Sequence, residues 1–483
     1  MTRPVAISTI DMVDEVVPAT QSPDGPRSAR VLTPAIKSWG SSDQVSLYLD
    51  RCQVDTPQSL VDRAWYQVGQ RRDLGCLDVV DFGAGDGRFA MTGAYRTYLG
   101  FEVDRSKYRG VELPANASIK NACAFSSKRR DFGACIGNPP YVRNQDLPPG
   151  WRHAAAEVVE HRTGVALSGL ANAWQYFTFL ALSSTAPDGL CALVVPYEWV
   201  SRPSSEPLRR YVRENDWGVS VYRLDDAVFD GVQTTVSLTV IDKRERARGS
   251  WRYFIDFEGS LNERSTPTGS DTGVLAYTSA RSRSLGQPFA KRGLSPGTQK
   301  ALVLTEGERA RHGLRKGTDV VPCVTSLKGL STETTALSIS VFKRHFEQAG
   351  RRCWLPRTDR PPSKRLIAYL NSVPTEMYQT KTCLARDEWW RFTMPPVPVA
   401  LVASSFKKDA PKCVDNLIQA RAVGSVCGIY ETDEHDLVAL RSLLSDPGLP
   451  ERIVPHANEM RKLEIGQINT LLLSAREVSG GVT

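Results

Sequence analysis

The chain has ten cysteines in 483 residues but no Cys-x-x-Cys pair. That argues against both a structural zinc site and a disulfide framework, and no metal is expected. No uninterrupted apolar run approaches the roughly 20 residues that a bilayer-spanning helix needs, so no membrane partner is expected. Met1 to Arg30 carries acids and prolines without an apolar core. It does not read as a signal peptide and is expected to be a flexible lead-in. Glycine-rich sequence is present, yet no Gly-Lys-Ser/Thr follows it to clamp a phosphate. Internal repeats and coiled-coil heptads are also missing. A reduced cytoplasm is the compartment that fits these absences.

The rest of the composition is ordinary, with 41% hydrophobic and 24% charged residues. The length leaves room for two or three cores. Charge is informative once the chain is divided. Through Arg244 there are 27 Lys+Arg against 28 Asp+Glu, a net of −1, and beyond it 34 against 25, a net of +9. A near-neutral first half and a basic second half suit a division between chemistry and polyanion contact.

The most telling stretch is Gly137-Asn138-Pro139-Pro140-Tyr141, after the apolar Ala134-Cys135-Ile136. Two prolines after an Asn forbid helix and make a stiff, extended turn. The Asn side chain and the Pro139 carbonyl become two fixed acceptors beside the flat Tyr141 ring. Two acceptors and a ring suit the exocyclic amino group of a planar base.

Upstream, Val79-Val80-Asp81 reads as a strand running into the turn Phe82-Gly83-Ala84-Gly85-Asp86-Gly87, with Arg88 to Met91 opening a helix. Such turns let backbone pass close to a ligand. A second strand, Tyr98 to Asp104, places acids roughly 20 residues beyond the first, where a carboxylate grips a ribose diol. A glycine turn with an acid and no phosphate clamp points to S-adenosylmethionine. A strand-turn-helix serving only the fold is the bland alternative.

In combination these pieces resemble the adenine-N6 DNA methyltransferases of the gamma class, the TaqI-like type with a C-terminal target-recognition domain. The resemblance runs from about Gln53 to Lys243. Thr56-Pro57, followed by Leu60-Val61-Asp62, looks like the family's first cofactor motif. Asp81 and Gly83, Ala84, Gly85 and Gly87 resemble the methionine-binding loop, and Glu102 the acid that holds the ribose hydroxyls. Asn138, Pro139, Pro140 and Tyr141 match the catalytic motif, continued by Val142-Arg143. Asn172-Ala173-Trp174 leads an apolar helix through Leu182, and Leu190 to Val195 forms a strand. Phe229, within Ala227 to Val232, resembles the residue that packs on the target adenine. The sequence departs from the family at Ile119 to Phe125, which lacks the usual acid for the cofactor's adenine. Asn121 is the expected substitute.

The resemblance implies an α/β fold. A Rossmann-like class I methyltransferase domain with a mostly parallel seven-stranded sheet would occupy 31–245, after the lead-in at 1–30. Linker and loops are expected over 246–300, and a mixed α+β target-recognition domain over 301–483. Within it, Asp319 to Val321 and Pro398 to Val402 read as strands, and Asp433 to Leu444 and Glu464 to Leu473 as helices. Candidate DNA contacts are Arg143, Arg357, Arg365, Arg386 and Trp389, since cations and aromatics interleave there. Trp389 and Trp390 equally suit a core.

The implied partner is double-stranded DNA bound by a monomer, with a separate restriction endonuclease or defence protein as companion. Two alternatives stay open. One is a methyltransferase of the same motif acting on RNA adenine or a protein glutamine. The other is a catalytically inactive DNA-binding specificity protein.

Overall fold

The computed structural model describes residues 55–224, 235–247, 251–257, 260–268, 273–277, 286–331, 333–407, 410–457 and 460–480. Its main feature is a nine-stranded sheet of order β3-β2-β1-β4-β5-β7-β6-β8-β9. The strands are β1 (Asp78–Asp81), β2 (Thr97–Glu102), β3 (Ala117–Asn121), β4 (Phe132–Gly137), β5 (Thr185–Pro196), β6 (Trp217–Arg223), β7 (Val236–Arg246), β8 (Arg252–Phe257) and β9 (Ser260–Arg264). β3, β2, β1, β4 and β5 run parallel. β7 is antiparallel to both β5 and β6. The first seven strands in this order are the expected class I sheet.

The sheet is buried on both faces, as a mostly parallel sheet requires. In β4, Ala134 and Ile136 join one core while Cys135 joins the other. That is the period-2 alternation of a strand. Helix α1 (Gln58–Gly69) covers the first face with Leu60, Val61, Ala64, Trp65 and Val68. The Trp65 indole donates to Phe89 O at 2.9 Å, tying α1 to the segment after the glycine turn. α2 (Pro149–Thr163) and α3 (Ala173–Ser184) cover the second face. α3 starts where Asn172 ends the loop, with the Asn172 N–H bonded to Gln175 Oε1 at 3.1 Å.

Two expectations change. The helix expected from Arg88 is a single 3₁₀ turn, Arg88–Ala90, and the chain passes Gly93 at φ 63° before entering β2. The stretch expected as linker, 246–300, contains β8 and β9. β8 pairs in parallel with β6 and forms a hairpin with β9, extending the main sheet at its edge.

Beyond this sheet lie two further cores. A four-stranded sheet has the order β10 (Phe289–Arg292), β17 (Val426–Tyr430), β13 (Ala400–Ala403), β15 (Cys413–Asp415). A three-stranded sheet is ordered β12 (Trp354–Pro356), β11 (Val320–Val324), β16 (Arg421–Ala422). A second one is ordered β14 (Ser405–Phe406), β19 (Met460–Lys462), β18 (Pro455–Ala457). The late helices are Glu434–Leu444 and Ile465–Gly480, the latter longer than expected. Leu437, Leu440 and Leu444 meet Ile468, Leu471 and Leu472 in one core. The basic half touches the loop after the Asn-Pro-Pro-Tyr turn, where the Lys381 ammonium donates to Gln145 O. No helix among the described residues is long and apolar enough to cross a membrane.

Candidate active site

A cavity of about 150 Å³ opens at the C-terminal ends of β1, β2 and β4. Ligands in open α/β sheets bind at this edge, because the strand-to-helix turns there expose backbone amides. The glycine turn after β1 forms one wall. Gly87 stands at φ 80°, a left-handed conformation that favours glycine, and a Cβ there would press on Ile119 and Leu113 at 3.0 Å. Arg88 binds Asp86 with its Nη2 2.6 Å from Oδ2, and donates through Nη1 to Thr56 O. It thereby straps the Thr56-Pro57 segment across the turn. Pro57 itself caps α1 and does not line the cavity.

Glu102 ends β2 at the cavity floor and is buried. Its Oε2 accepts from Gly85 N at 2.9 Å and its Oε1 from Asp104 N at 2.8 Å. Burial pushes its carboxyl above the usual range, opposed by those amides. Each oxygen keeps a lone pair for another donor.

Asp81 lies beneath the turn, 1% exposed. The Tyr98 hydroxyl donates to its Oδ2 at 2.8 Å. Gly137 closes over Asp81 at φ 149°, and a Cβ there would stand 2.4 Å from Oδ1. Only glycine permits this approach. Burial pushes Asp81 up to about 7, with Tyr98 opposing and Glu102 adding to the rise. A carboxyl with a raised folded pKa holds its proton when the unfolded one has released it, so stability falls as pH rises from about 4 to about 7. The difference amounts to at most about 4 kcal/mol at 1.36 per unit. In Asp81→Asn this contribution vanishes. From pH 4 to pH 7 the urea midpoint should therefore fall further, or rise less, in the native chain than in the variant. Equal differences would contradict the assigned environment.

Asn138 follows β4. Its Nδ2 donates to Thr56 Oγ1 at 3.1 Å, while its Oδ1 is buried with no hydrogen-bond partner among the described residues. A buried carbonyl left unmatched costs about 1–3 kcal/mol, so such an atom is normally held for a ligand. Its amide orientation is set by Thr56. Pro139 and Pro140 continue the wall, and Tyr141 lines the cavity with its hydroxyl donating to Val194 O at 2.9 Å. Burial raises the Tyr141 phenol well above its usual value and keeps it neutral. Phe101, Leu147, Pro148, Trp151 and Phe177 supply an apolar side.

The structure thus brings Thr56, Gly83, Ala84, Gly85, Glu102, Asn138, Pro139, Pro140 and Tyr141 to one cavity. Asn121 is not among them. Its Nδ2 donates to Glu102 O and Val103 O, at 3.1 and 2.9 Å, which holds it at the exposed end of β3. Ala122, Cys123 and Ala124 line the cavity where the acid was sought. Phe229 lies outside the described residues. Arg88, Phe101, Trp151 and Phe177 were not anticipated. Arg88 and Phe101 adjoin the glycine turn and Glu102 in sequence, a signal that could have found them.

The DNA-contact candidates divide. Arg143 pairs with Asp146 at 3.0 Å on the surface. Arg357 is spent on Asp359 and Gly317 O. Arg386 holds Pro296 O and Trp389 O. Trp389 stacks on Tyr378 at 4.2 Å and packs on the neighbouring core. Arg365 is exposed at the start of the helix Lys364–Ser372. Among the described residues no cluster of metal-binding side chains occurs.

Strand order, glycine turn and cavity define a Rossmann-like class I methyltransferase fold. Residues 104–229 match the family model described as Eco57I restriction-modification methylase. Type II methyltransferase M.XamI of Xanthomonas campestris pv. amaranthicola is 29% identical over 201 residues, 38% of this chain and 38% of that protein. The chain therefore matches well under half the length of this relative. The Type IIL restriction-modification enzyme MmeI, solved with DNA, aligns over 92% of this chain and 67% of its own, at TM-score 0.50 and 11% identity. A type I restriction-modification methyltransferase subunit from Streptococcus thermophilus aligns over 44% of this chain and 50% of its own, at TM-score 0.34 and 16% identity.

Proposed function

We propose that this chain is a site-specific DNA methyltransferase, moving a methyl group from S-adenosylmethionine to N6 of an adenine in duplex DNA. The observation that carries this reading is Asn138 Oδ1, buried, without a hydrogen-bond partner among the described residues, on a cavity-lining side chain anchored by the Thr56 hydroxyl. Restriction-modification is the setting suggested by the matched family, with a bacterial cytoplasm and a separate endonuclease or defence protein as companions.

The residues present fit the cofactor. Glu102 would take the ribose hydroxyls, Gly83 to Gly85 would pass along the methionine part, and Phe101 with Ala122 to Ala124 would flank the adenine. S-adenosylmethionine supplies an electrophilic methyl on a sulfonium. The chain's own work is to hold and polarise the amine. An adenine in a duplex is out of reach and must be flipped, at a cost of a few kcal/mol. Stacking on Tyr141 offsets part of that, on the order of 1–3 kcal/mol. Asn138 Oδ1 and Pro139 O would accept both N6 hydrogens, drawing the nitrogen lone pair out of ring conjugation. Catalysis is then positioning and polar preorganisation. The histidines His153 and His161 lie on exposed positions of α2 and take no part. The half beyond Arg244, with its net +9, would hold and read the duplex.

Nucleosides from duplex DNA incubated with the protein and labelled cofactor should contain N6-methyladenine. Label only in RNA, in protein or in N4-methylcytosine would overturn the reading. A finer test concerns Thr56. In Thr56→Val the Asn138 amide loses its anchor, a hydrogen bond worth about 0.5–1.5 kcal/mol. The rate at saturating cofactor should fall roughly threefold to tenfold, and Thr56→Ser should restore it. An unchanged rate in the valine variant would show that Asn138 needs no such anchor.

A further inference from the structure

Arg421 opens β16 beside β11, opposite Cys323. Its Nε is buried and has no hydrogen-bond partner, and the side chain forms no ion pair among the described residues. Guanidinium groups in proteins normally satisfy their forked donors, and a partly desolvated one without an acceptor is costly. The neighbours do not relieve it. Arg357 adds a second positive charge nearby, and burial together with Arg357 lowers Arg421 from its usual value. Asp359 and Tyr430 oppose that lowering, but the Asp359 carboxylate is already bound by Arg357 at 2.5 and 3.0 Å. Tyr430 is itself stacked on Phe289 with centroids 5.1 Å apart. The Lys291 ammonium lies 5.1 Å from the Phe289 ring and 5.8 Å from that of Tyr430. The Arg421 Nε therefore stays without an acceptor among the described residues, with the Arg357 cation in electrostatic reach.

We infer that Arg421 is a phosphodiester-binding residue, its guanidinium donating to one backbone phosphate of the duplex. A phosphate oxygen pair matches the planar guanidinium in two parallel hydrogen bonds. The inference rests on the reading that this chain binds DNA. Such a contact positions the duplex and carries no base preference.

Among the described residues Arg421 has no side-chain hydrogen bond or ion pair to lose. Its replacement by an uncharged side chain of similar length should therefore leave the folded protein intact while weakening binding to any sequence. The test is fluorescence anisotropy of the full chain on a random-sequence duplex across a salt series, alongside thermal melting. The native chain should bind with log affinity falling linearly in log salt. In Arg421→Met the slope should be shallower by about 0.9, one phosphate's worth, with affinity down roughly tenfold at 0.1 M salt. Its melting temperature should equal or exceed the native value. Arg421→Lys should keep the native slope. A native chain that binds, with Arg421→Met showing the same slope, would overturn this inference alone. A melting temperature lowered with binding unchanged would mark Arg421 as structural and overturn it as well. A folded native chain that binds no duplex at all would instead sink the DNA reading, and this contact with it.

Discussion

Asn138→Ala should reduce methyl transfer roughly 100-fold or more at saturating cofactor, the scale seen when a preorganised polar contact to a reacting group is removed. The structure explains why the loss should appear in the rate rather than in folding. Asn138 Oδ1 bonds to nothing in the described residues, so deleting it leaves no protein donor orphaned. The substitution does remove the hydrogen bond from Nδ2 to Thr56 Oγ1 at 3.1 Å, a loss of about 0.5–1.5 kcal/mol. The turn itself is held by Pro139, Pro140 and the Tyr141 hydroxyl on Val194 O, all retained. Cofactor affinity by calorimetry should barely move. A variant keeping more than half its activity in a labelled-methyl assay would remove Asn138 from the reaction.

Glu102→Ala should act on the other half of the site. Loss of charge-assisted bonds to the ribose hydroxyls is worth roughly 1.5–3 kcal/mol, or about 10- to 150-fold in S-adenosylmethionine affinity. The native carboxylate also braces Gly85 N and Asp104 N, so the variant loosens the glycine turn. Glu102→Gln separates the two effects, because one amide oxygen can still accept from Gly85 while the charge is gone. Asp104 is a poor replacement. Its Oδ1 already accepts from Ser106 N and Oγ, at 2.9 and 2.6 Å. Unchanged affinity by calorimetry in Glu102→Ala would place the ribose elsewhere. The maximal rate at saturating cofactor should suffer less than the affinity.

The parts legible in the sequence were those whose signal is local. β-branched runs into glycines marked β1 and its turn, the double proline marked the end of β4, and the apolar run after Asn172 marked α3. β8 escaped notice because its partner, β6, lies some 30 residues upstream, and β9 because it is a short, polar edge strand. The helix expected at Arg88 failed for a different reason. Its residues turn toward Asp86, Thr56 and Trp65 rather than propagating along an axis.

Asn121 had the right place in sequence for a cofactor contact. Its amide is instead consumed by the carbonyls of Glu102 and Val103, which no local pattern announces. Arg421 shows the converse. Nothing in its neighbourhood in the chain distinguishes it from Arg357 or Arg386, and only the packed structure separates the satisfied cations from the unsatisfied one. The fit of Gly137 to Asp81 is equally non-local, since the two residues are 56 positions apart and meet only through the pairing of β1 with β4.

The most direct test of the central claim is sequencing, with detection of modified bases, of the chromosome of a host that lacks adenine methylation and expresses the full chain. The account predicts N6-methyladenine confined to one short duplex motif, present with the native chain and absent with Asn138→Ala at equal expression. A chromosome left unmodified by a folded chain that binds S-adenosylmethionine would contradict it.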